Sequence, residues 1–269
     1  MSQLFSLQGS TALVTGASRG IGYSLAQALA GAGARLVLNG RDAVALEAAA
    51  DRLRQTGAQV HTTRFDVTDA AAVRAGIEAI DSAGWMPDVL VNNAGIQRRG
   101  PLDQFRDEDW DALLACNLTS IYYVSKAVAQ RMIPRGRGKI INIGSVQCEL
   151  ARPGIAPYTA TKGAVRNLTR GMCADWARHG LQINAIAPGY FNTPMNKALV
   201  EDPVFDEWVR KRTPAGRWGR LEDLHGAAIF LASRASDFVN GQVLFVDGGM
   251  TTGQYYPRFP GAPGVDPSL

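Results

Sequence analysis

The sequence predicts an α/β fold: a doubly wound, mainly parallel, seven-stranded sheet with helices on both faces. Three observations predict it. Short apolar runs alternate with stretches of helical periodicity, the order of a wound sheet. Runs such as Val89-Leu90-Val91 are continuously apolar, as strands covered on both faces are. A glycine-rich turn, Gly16-Ala17-Ser18-Arg19-Gly20-Ile21-Gly22, joins the first apolar run to the first helical stretch.

Size and composition agree with a single sheet. The chain has 269 residues, 46% apolar and 19% charged, the balance of an ordinary globular protein. At this length about three quarters of the unfolded surface can be buried, enough for one core. The net charge of +4 suits an anionic ligand. Lysines and arginines are scattered apart from the stretch 131–139, so no nucleic-acid partner is expected. Cys116, Cys148 and Cys173 are far apart, and His61, His179 and His225 stand alone, so neither a disulfide framework nor a metal site is expected. The first residues lack a basic, apolar leader, and no uninterrupted apolar run approaches about 18 residues. A cytoplasmic setting without a membrane partner is therefore expected.

Strands are expected at 11–15, 35–39, 59–65, 88–92, 139–144, 182–186 and 242–246, and helices at 21–32, 44–56, 70–83 and 156–178. No linker, repeat or charge block interrupts this pattern, so residues 1–250 read as one dinucleotide-binding and catalytic domain. Residues 251–269 read as a Pro/Gly-rich tail.

The first strand runs into the glycine turn. Glycines there let the backbone approach a pyrophosphate, and the new helix offers unpaired N–H groups. Gly16, Ser18, Arg19, Gly20, Ile21 and Gly22 are the candidate contacts. The spacing is Gly-x-x-x-Gly-x-Gly rather than Gly-x-Gly-x-x-Gly. The second strand ends in Gly40-Arg41-Asp42. Gly40 stands where an acidic residue would accept a ribose 2′-OH of NAD. Arg41 suits a 2′-phosphate through paired, charge-assisted hydrogen bonds, and Arg19 can reach the same group. NADP is expected in preference to NAD, which remains the alternative, with Asp42 open as a ribose contact. Asp66 and Val67 close the third strand where an adenine would lie. Asn93, Ala94 and Gly95 follow the fourth strand on the same side of the sheet.

Tyr158 and Lys162 are four apart and share one face of the helix at 156–178. A nearby ammonium favours the phenolate. Free tyrosine titrates near 10, so work at neutral pH needs its pKa lowered by about 2 to 3. Lys162 and a cationic cofactor ring together can supply that.

These residues, with Asn117, Ser145, Pro188 and Gly189 in order, resemble the short-chain dehydrogenase/reductase family over residues 7–250. The resemblance implies a Rossmann-type sheet, a nicotinamide cofactor and a homotetramer, with a homodimer as the alternative. It implies that Tyr158 exchanges the proton of the alcohol, that Lys162 lowers its pKa and holds the nicotinamide ribose, and that Ser145 donates to the substrate oxygen. Asn117 would hold a water leading to Lys162; a helix kink or cap is its other reading. Pro188 and Gly189 would line the nicotinamide pocket and Thr193 bind its carboxamide; Thr193-Pro194 also suits a plain helix start.

The variable stretches 95–99, 145–147, 149–158 and 212–219 resemble the gluconate 5-dehydrogenase branch of that family, implying a sugar-acid substrate. Arg98, Arg99 and Arg152 are candidate carboxylate anchors, and Gln147 and Glu149 candidate hydroxyl partners. Each also suits a surface or subunit interface. Residues 193–219 form the expected substrate lid, carrying Phe205, Trp208 and Val209 among charges; core packing would place them equally well. Tyr255, Tyr256 and Phe259 make the tail either a disordered end or an arm on a neighbouring subunit. The first rival is a 3-oxoacyl carrier-protein reductase, which would dock its partner on Arg131, Arg135, Arg137 and Lys139. The second is a non-catalytic nucleotide-binding sensor or scaffold.

Overall fold

Seven parallel strands form one sheet in the order β3-β2-β1-β4-β5-β6-β7 in a computed structural model that describes residues 3–253. The strands are β1 Thr11–Val14, β2 Arg35–Gly40, β3 Val60–Arg64, β4 Val89–Asn92, β5 Gly138–Ile143, β6 Leu181–Pro188 and β7 Val243–Val246. All adjacent pairs are parallel, so the sheet is wholly rather than mainly parallel. The helices are α1 Gly20–Gly31, α2 Ala43–Arg54, α3 Ala70–Ser82, α4 Asp107–Leu114, α5 Ser120–Arg135, α6 Ala156–Trp176, α7 Lys197–Val200, α8 Pro203–Arg212 and α9 His225–Ala232.

Strand alternation builds two cores, one on each face. Ala12 and Val14 of β1 join Val89, Val91 and Ile141 on the face covered by α1, α2 and α9. Leu13, Leu90 and Ile140 point the other way, into α3, α5 and α6. Every β1 and β4 residue is buried, which is why these strands carry no polar alternation. Asp42 and Asp69 start α2 and α3 by accepting from first-turn N–H groups.

Helices α4, α5 and α9 lie outside both the expected helices and the expected lid. Helix α9 is apolar on every side and packs on the first core, so no 3.6-residue stripe marks it. Helices α4 and α5 are joined by a π turn, Ala115–Thr119, into one run, Asp107–Arg135. That run is long and apolar enough to cross a membrane by length and composition alone. Its apolar residues Leu113, Ile121, Val124, Val128 and Met132 are buried inside the protein, so it is a core helix here.

The chain leaves β3, passes β2 and β1, and re-enters the sheet at β4. This reversal opens a crevice between the C-terminal ends of β1 and β4, where ligands of such sheets bind. The tail residues Tyr255, Tyr256 and Phe259, with the prolines from Pro257 onward, lie outside the described residues.

Candidate active site

The glycine turn lies at the reversal point and is fixed from the β4 side. The Asn93 side-chain amide donates to the carbonyls of Thr15 (2.9 Å) and Gly16 (3.1 Å). The Thr15 hydroxyl accepts from the N–H groups of Asn93 and Ala94. Gly16 and Gly20 have φ of 62° and 60°, the left-handed region where a side chain is strained. A Cβ on Gly22 would fall on the Asn93 amide and the Gly16 carbonyl. Arg19 precedes α1 in extended backbone and makes no side-chain cap, so the first-turn N–H groups of α1 keep no side-chain partner.

Beyond β2, the Arg41 side chain is 71% exposed, so its guanidinium is open to a ligand. It meets Asp66 at 3.4 Å. Asp66 also accepts from the N–H and hydroxyl of Thr68, and its carboxyl sits below the usual range although burial opposes this. Arg64 donates to the Arg41 carbonyl and steadies this corner. Val67 is buried. At the far side, Pro188 ends β6 and Gly189 follows so close to Asp247 that a Cβ would lie 2.8 Å from the Asp247 Cα. Thr193 is buried and precedes a short turn, Pro194–Asn196, without capping it.

The four candidate catalytic residues come from three elements. Ser145 follows β5, and its hydroxyl accepts from the Gln147 N–H at 3.2 Å. It is also hydrogen-bonded to the Tyr158 phenol on α6. Lys162, one turn further along α6, is buried, and its ammonium donates to the Ile143 carbonyl at 2.7 Å. It lies 5.6 Å from the centre of the Tyr158 ring. Asn117 lies in the π turn, a distortion common at functional sites. Its side chain is already engaged, accepting from the Ile96 N–H at 2.8 Å and donating to the Ile96 carbonyl at 3.0 Å. It therefore clamps the loop after β4 to the α4–α5 junction.

Burial dominates the electrostatics of the pair. Burial pushes Tyr158 up to about 12, with the Ser145 hydrogen bond pulling the other way. Burial pushes Lys162 down to about 8. The expected lowering needs Lys162 together with a cationic cofactor ring; in the protein alone burial prevails, and the Lys162 ammonium is directed at a carbonyl.

The proposed anchors separate into two groups. Arg98 pairs with Asp109 of α4 (3.1 Å), and Glu149 pairs with Arg166 of α6. Both therefore have a partner of opposite charge within the chain. Arg99 donates to Asn196 (3.3 Å). Arg152 donates to the Tyr190 hydroxyl (3.1 Å) and the Pro153 carbonyl (3.1 Å). Neither has a carboxylate partner among the described residues. Burial, then repulsion by Arg152, lowers the Arg99 pKa, while Tyr158 and Tyr190 oppose this. Gln147 is buried beside them, and its side-chain oxygen has no partner. The two ends of the 193–219 segment are held together by a parallel bridge between Phe191 and Gly219. Within it, Phe205, Trp208 and Trp218 pack edge-on to Tyr190.

The sequence singles out no role for Tyr190, and it marks Thr15 only as the end of the first strand, where the glycine turn begins. Position directly after Pro188-Gly189 was the available signal for Tyr190. Thr15, the last residue before the glycine turn, had no distinguishing pattern. The basic stretch that the acyl-carrier rival would dock on is largely paired: Arg131 meets Asp81, Arg135 and Arg137 share Asp88, and Lys139 meets Asp237.

Comparison with known proteins agrees with this architecture. A family model described as enoyl-(acyl carrier protein) reductase matches residues 16–251. The chain is 62% identical to gluconate 5-dehydrogenase of Gluconobacter oxydans, covering 92% of this chain and 97% of that protein. It is 52% identical to 5-keto-D-gluconate 5-reductase of Escherichia coli K12, covering 93% and 98%. A crystal structure of a gluconate 5-dehydrogenase from Burkholderia cenocepacia J2315, in complex with NADP and tartrate, superposes with a TM-score of 0.92. It is 58% identical, covering 93% of this chain and 98% of that one. A seven-stranded sheet with a glycine turn at its reversal point, matched over more than nine tenths of the chain at this identity, places the chain in the short-chain dehydrogenase/reductase family.

Proposed function

We propose that this chain is an NADP-dependent oxidoreductase that interconverts D-gluconate and 5-keto-D-gluconate. One observation carries the substrate: Arg99, near the Tyr158 phenol, and Arg152, near Arg99, have no carboxylate partner among the described residues. A substrate carboxylate would relieve their mutual repulsion, and the unpartnered Gln147 oxygen would accept from a sugar hydroxyl. The relatives named above support the same substrate.

The site fits a nicotinamide dinucleotide. Side chains are missing where the glycine turn would meet a pyrophosphate, and the uncapped N-terminus of α1 offers N–H groups. Arg41 would hold a 2′-phosphate, sharing its charge with Asp66, and the B. cenocepacia relative binds NADP. When bound, the cofactor accepts or returns the hydride.

The chain's own residues would handle the proton and the substrate oxygen. With its pKa near 12, Tyr158 is protonated at neutral pH, the form that delivers a proton to a ketone oxygen. Ser145 donates to the same oxygen and steadies charge developing there. In the oxidising direction Tyr158 must first lose its proton, so that direction should gain from alkaline pH. Lys162 charged would favour that loss. Asn117 fixes the loop on which Arg99 lies. Residues 193–219 act as a lid on the remainder of a single domain, 1–250, and exclude water when docked. We assign the protein to the cytoplasm and to a homotetramer, with Trp110 and Tyr122 exposed on the α4–α5 run as candidate contacts.

The test is nicotinamide absorbance with D-gluconate plus NADP or NAD, and with 5-keto-D-gluconate in reverse. Turnover with NADP well above NAD is expected. No turnover with either sugar acid, together with reduction of another ketone, would overturn the substrate assignment and leave the fold intact.

A further inference from the structure

We propose that Tyr190 is a positioning residue that holds Arg152 in its substrate-facing pose and couples that pose to docking of the lid. The inference rests on the sugar-acid reading, specifically on Arg152 as a carboxylate anchor.

Tyr190 is where three parts of the site meet. It follows Pro188-Gly189 at the end of β6, and its backbone carbonyl accepts from the Gly219 N–H at 2.8 Å. Its phenol oxygen accepts from Arg152 Nε at 3.1 Å and, at the limit of hydrogen-bonding distance, from Gln147 Nε2 at 3.5 Å. Its ring meets Phe205 and Trp208 of α8 and Trp218 edge-on, with centres 5.6, 5.6 and 5.8 Å away. The Trp218 indole N–H donates to Asp206 of α8 at 2.7 Å, tying the cluster to that helix. Arg152 itself lies over Phe205, 5.2 Å from the ring centre.

The physical need follows from the arginine. A long side chain without a carboxylate partner samples many rotamers, and binding a substrate must then fix it. The Tyr190 oxygen occupies Nε, on the inner edge of the guanidinium, and the Pro153 carbonyl occupies Nη1. Nη2 is left to face an incoming anion. The same phenol is held by aromatic contacts with α8, so a displaced lid loosens the tyrosine and a docked lid steadies it. Anchor and lid thus share one joint.

Tyr190→Phe tests this cleanly, because it removes the oxygen and keeps the ring. Loss of one charge-assisted hydrogen bond should raise the KM for D-gluconate about ten-fold while leaving kcat within about two-fold. NADPH affinity, read by nucleotide fluorescence, should be unchanged. Arg152→Gln should raise KM further, and adding Tyr190→Phe to it should have no additional effect, since the oxygen acts through Arg152. Gluconate binding to the NADP-loaded enzyme, followed by tryptophan fluorescence, gives the same comparison without turnover. Multiplicative losses in the double variant, an unchanged KM, or an equal fall in kcat would overturn the inference alone. A wild-type enzyme that neither turns over nor binds the sugar acids would overturn the substrate reading, and this inference with it.

Discussion

Replacing Lys162 by methionine should abolish catalysis and yet make the protein less dependent on pH for its stability. Lys162 is buried at 7% exposure, and its pKa falls from 10.5 to about 8 on folding. The sign follows from linkage. Between pH 8 and 10.5 the unfolded chain binds this proton and the folded chain does not, so wild-type stability rises with pH there. Below pH 8 both states are largely protonated, and the full cost of charging a buried ammonium is carried. Evaluated with those two pKa values, the wild type gains about 2 kcal/mol between pH 7 and 9.5 relative to a chain without the group. Lys162→Met also loses the hydrogen bond to the Ile143 carbonyl, a cost of about 1 kcal/mol that does not vary with pH. The assay is urea unfolding of both proteins at pH 7 and 9.5 and at one fixed protein concentration, because subunit association would otherwise shift the midpoints. The wild-type-minus-variant difference should increase by about 2 kcal/mol toward pH 9.5. A difference that is flat or decreases with pH would refute the claim that burial depresses Lys162.

Tyr158→Phe should lower kcat by about 10²- to 10⁴-fold, the usual contribution of a positioned acid or base, while NADPH fluorescence titration shows unchanged binding. Retained turnover would refute Tyr158 as the proton-transfer group, whereas a wild type that binds NADPH but reduces no carbonyl would favour the sensor. In the cofactor-free protein, Tyr158 should not ionise below pH 10; ultraviolet difference spectra of wild type against Tyr158→Phe should stay flat from pH 7 to 10. Arg41→Ala should weaken NADPH by about 1 to 2 kcal/mol, given its exposure, and leave NADH nearly unaffected in parallel titrations. Gly22→Ala should eliminate nucleotide binding and lower the melting temperature, because its Cβ would displace the Asn93 amide that fixes the turn.

Much of this protein could be read from its residues because the relevant signals are local. Val89-Leu90-Val91 reads as a doubly covered strand because burial on both faces leaves no polar position. The glycine turn reads as a ligand loop because φ values near 60° at Gly16 and Gly20 are strained for other residues. Tyr158 and Lys162 share a helix face by spacing alone. Helix α9 left no such trace, because a helix apolar on every side lacks the periodicity that marks an amphipathic one.

The fates of the charged residues belong to the tertiary structure. Arg98 and Arg99 are neighbours in sequence, yet one is paired with Asp109 on α4 and the other faces Asn196 and the cleft. Nothing local decides between them, because an arginine can reach several carboxylates and only the packing of distant elements selects one. Glu149, paired with Arg166, and the largely paired basic stretch follow the same logic. Tyr190 became visible only when the end of β6, the Arg152 loop and α8 were brought together. The direction of the Tyr158 shift is the plainest case. Spacing places an ammonium nearby and suggests a lowered pKa. Desolvation sums over every atom around the phenol, whatever its place in the chain, and in the folded protein that sum prevails.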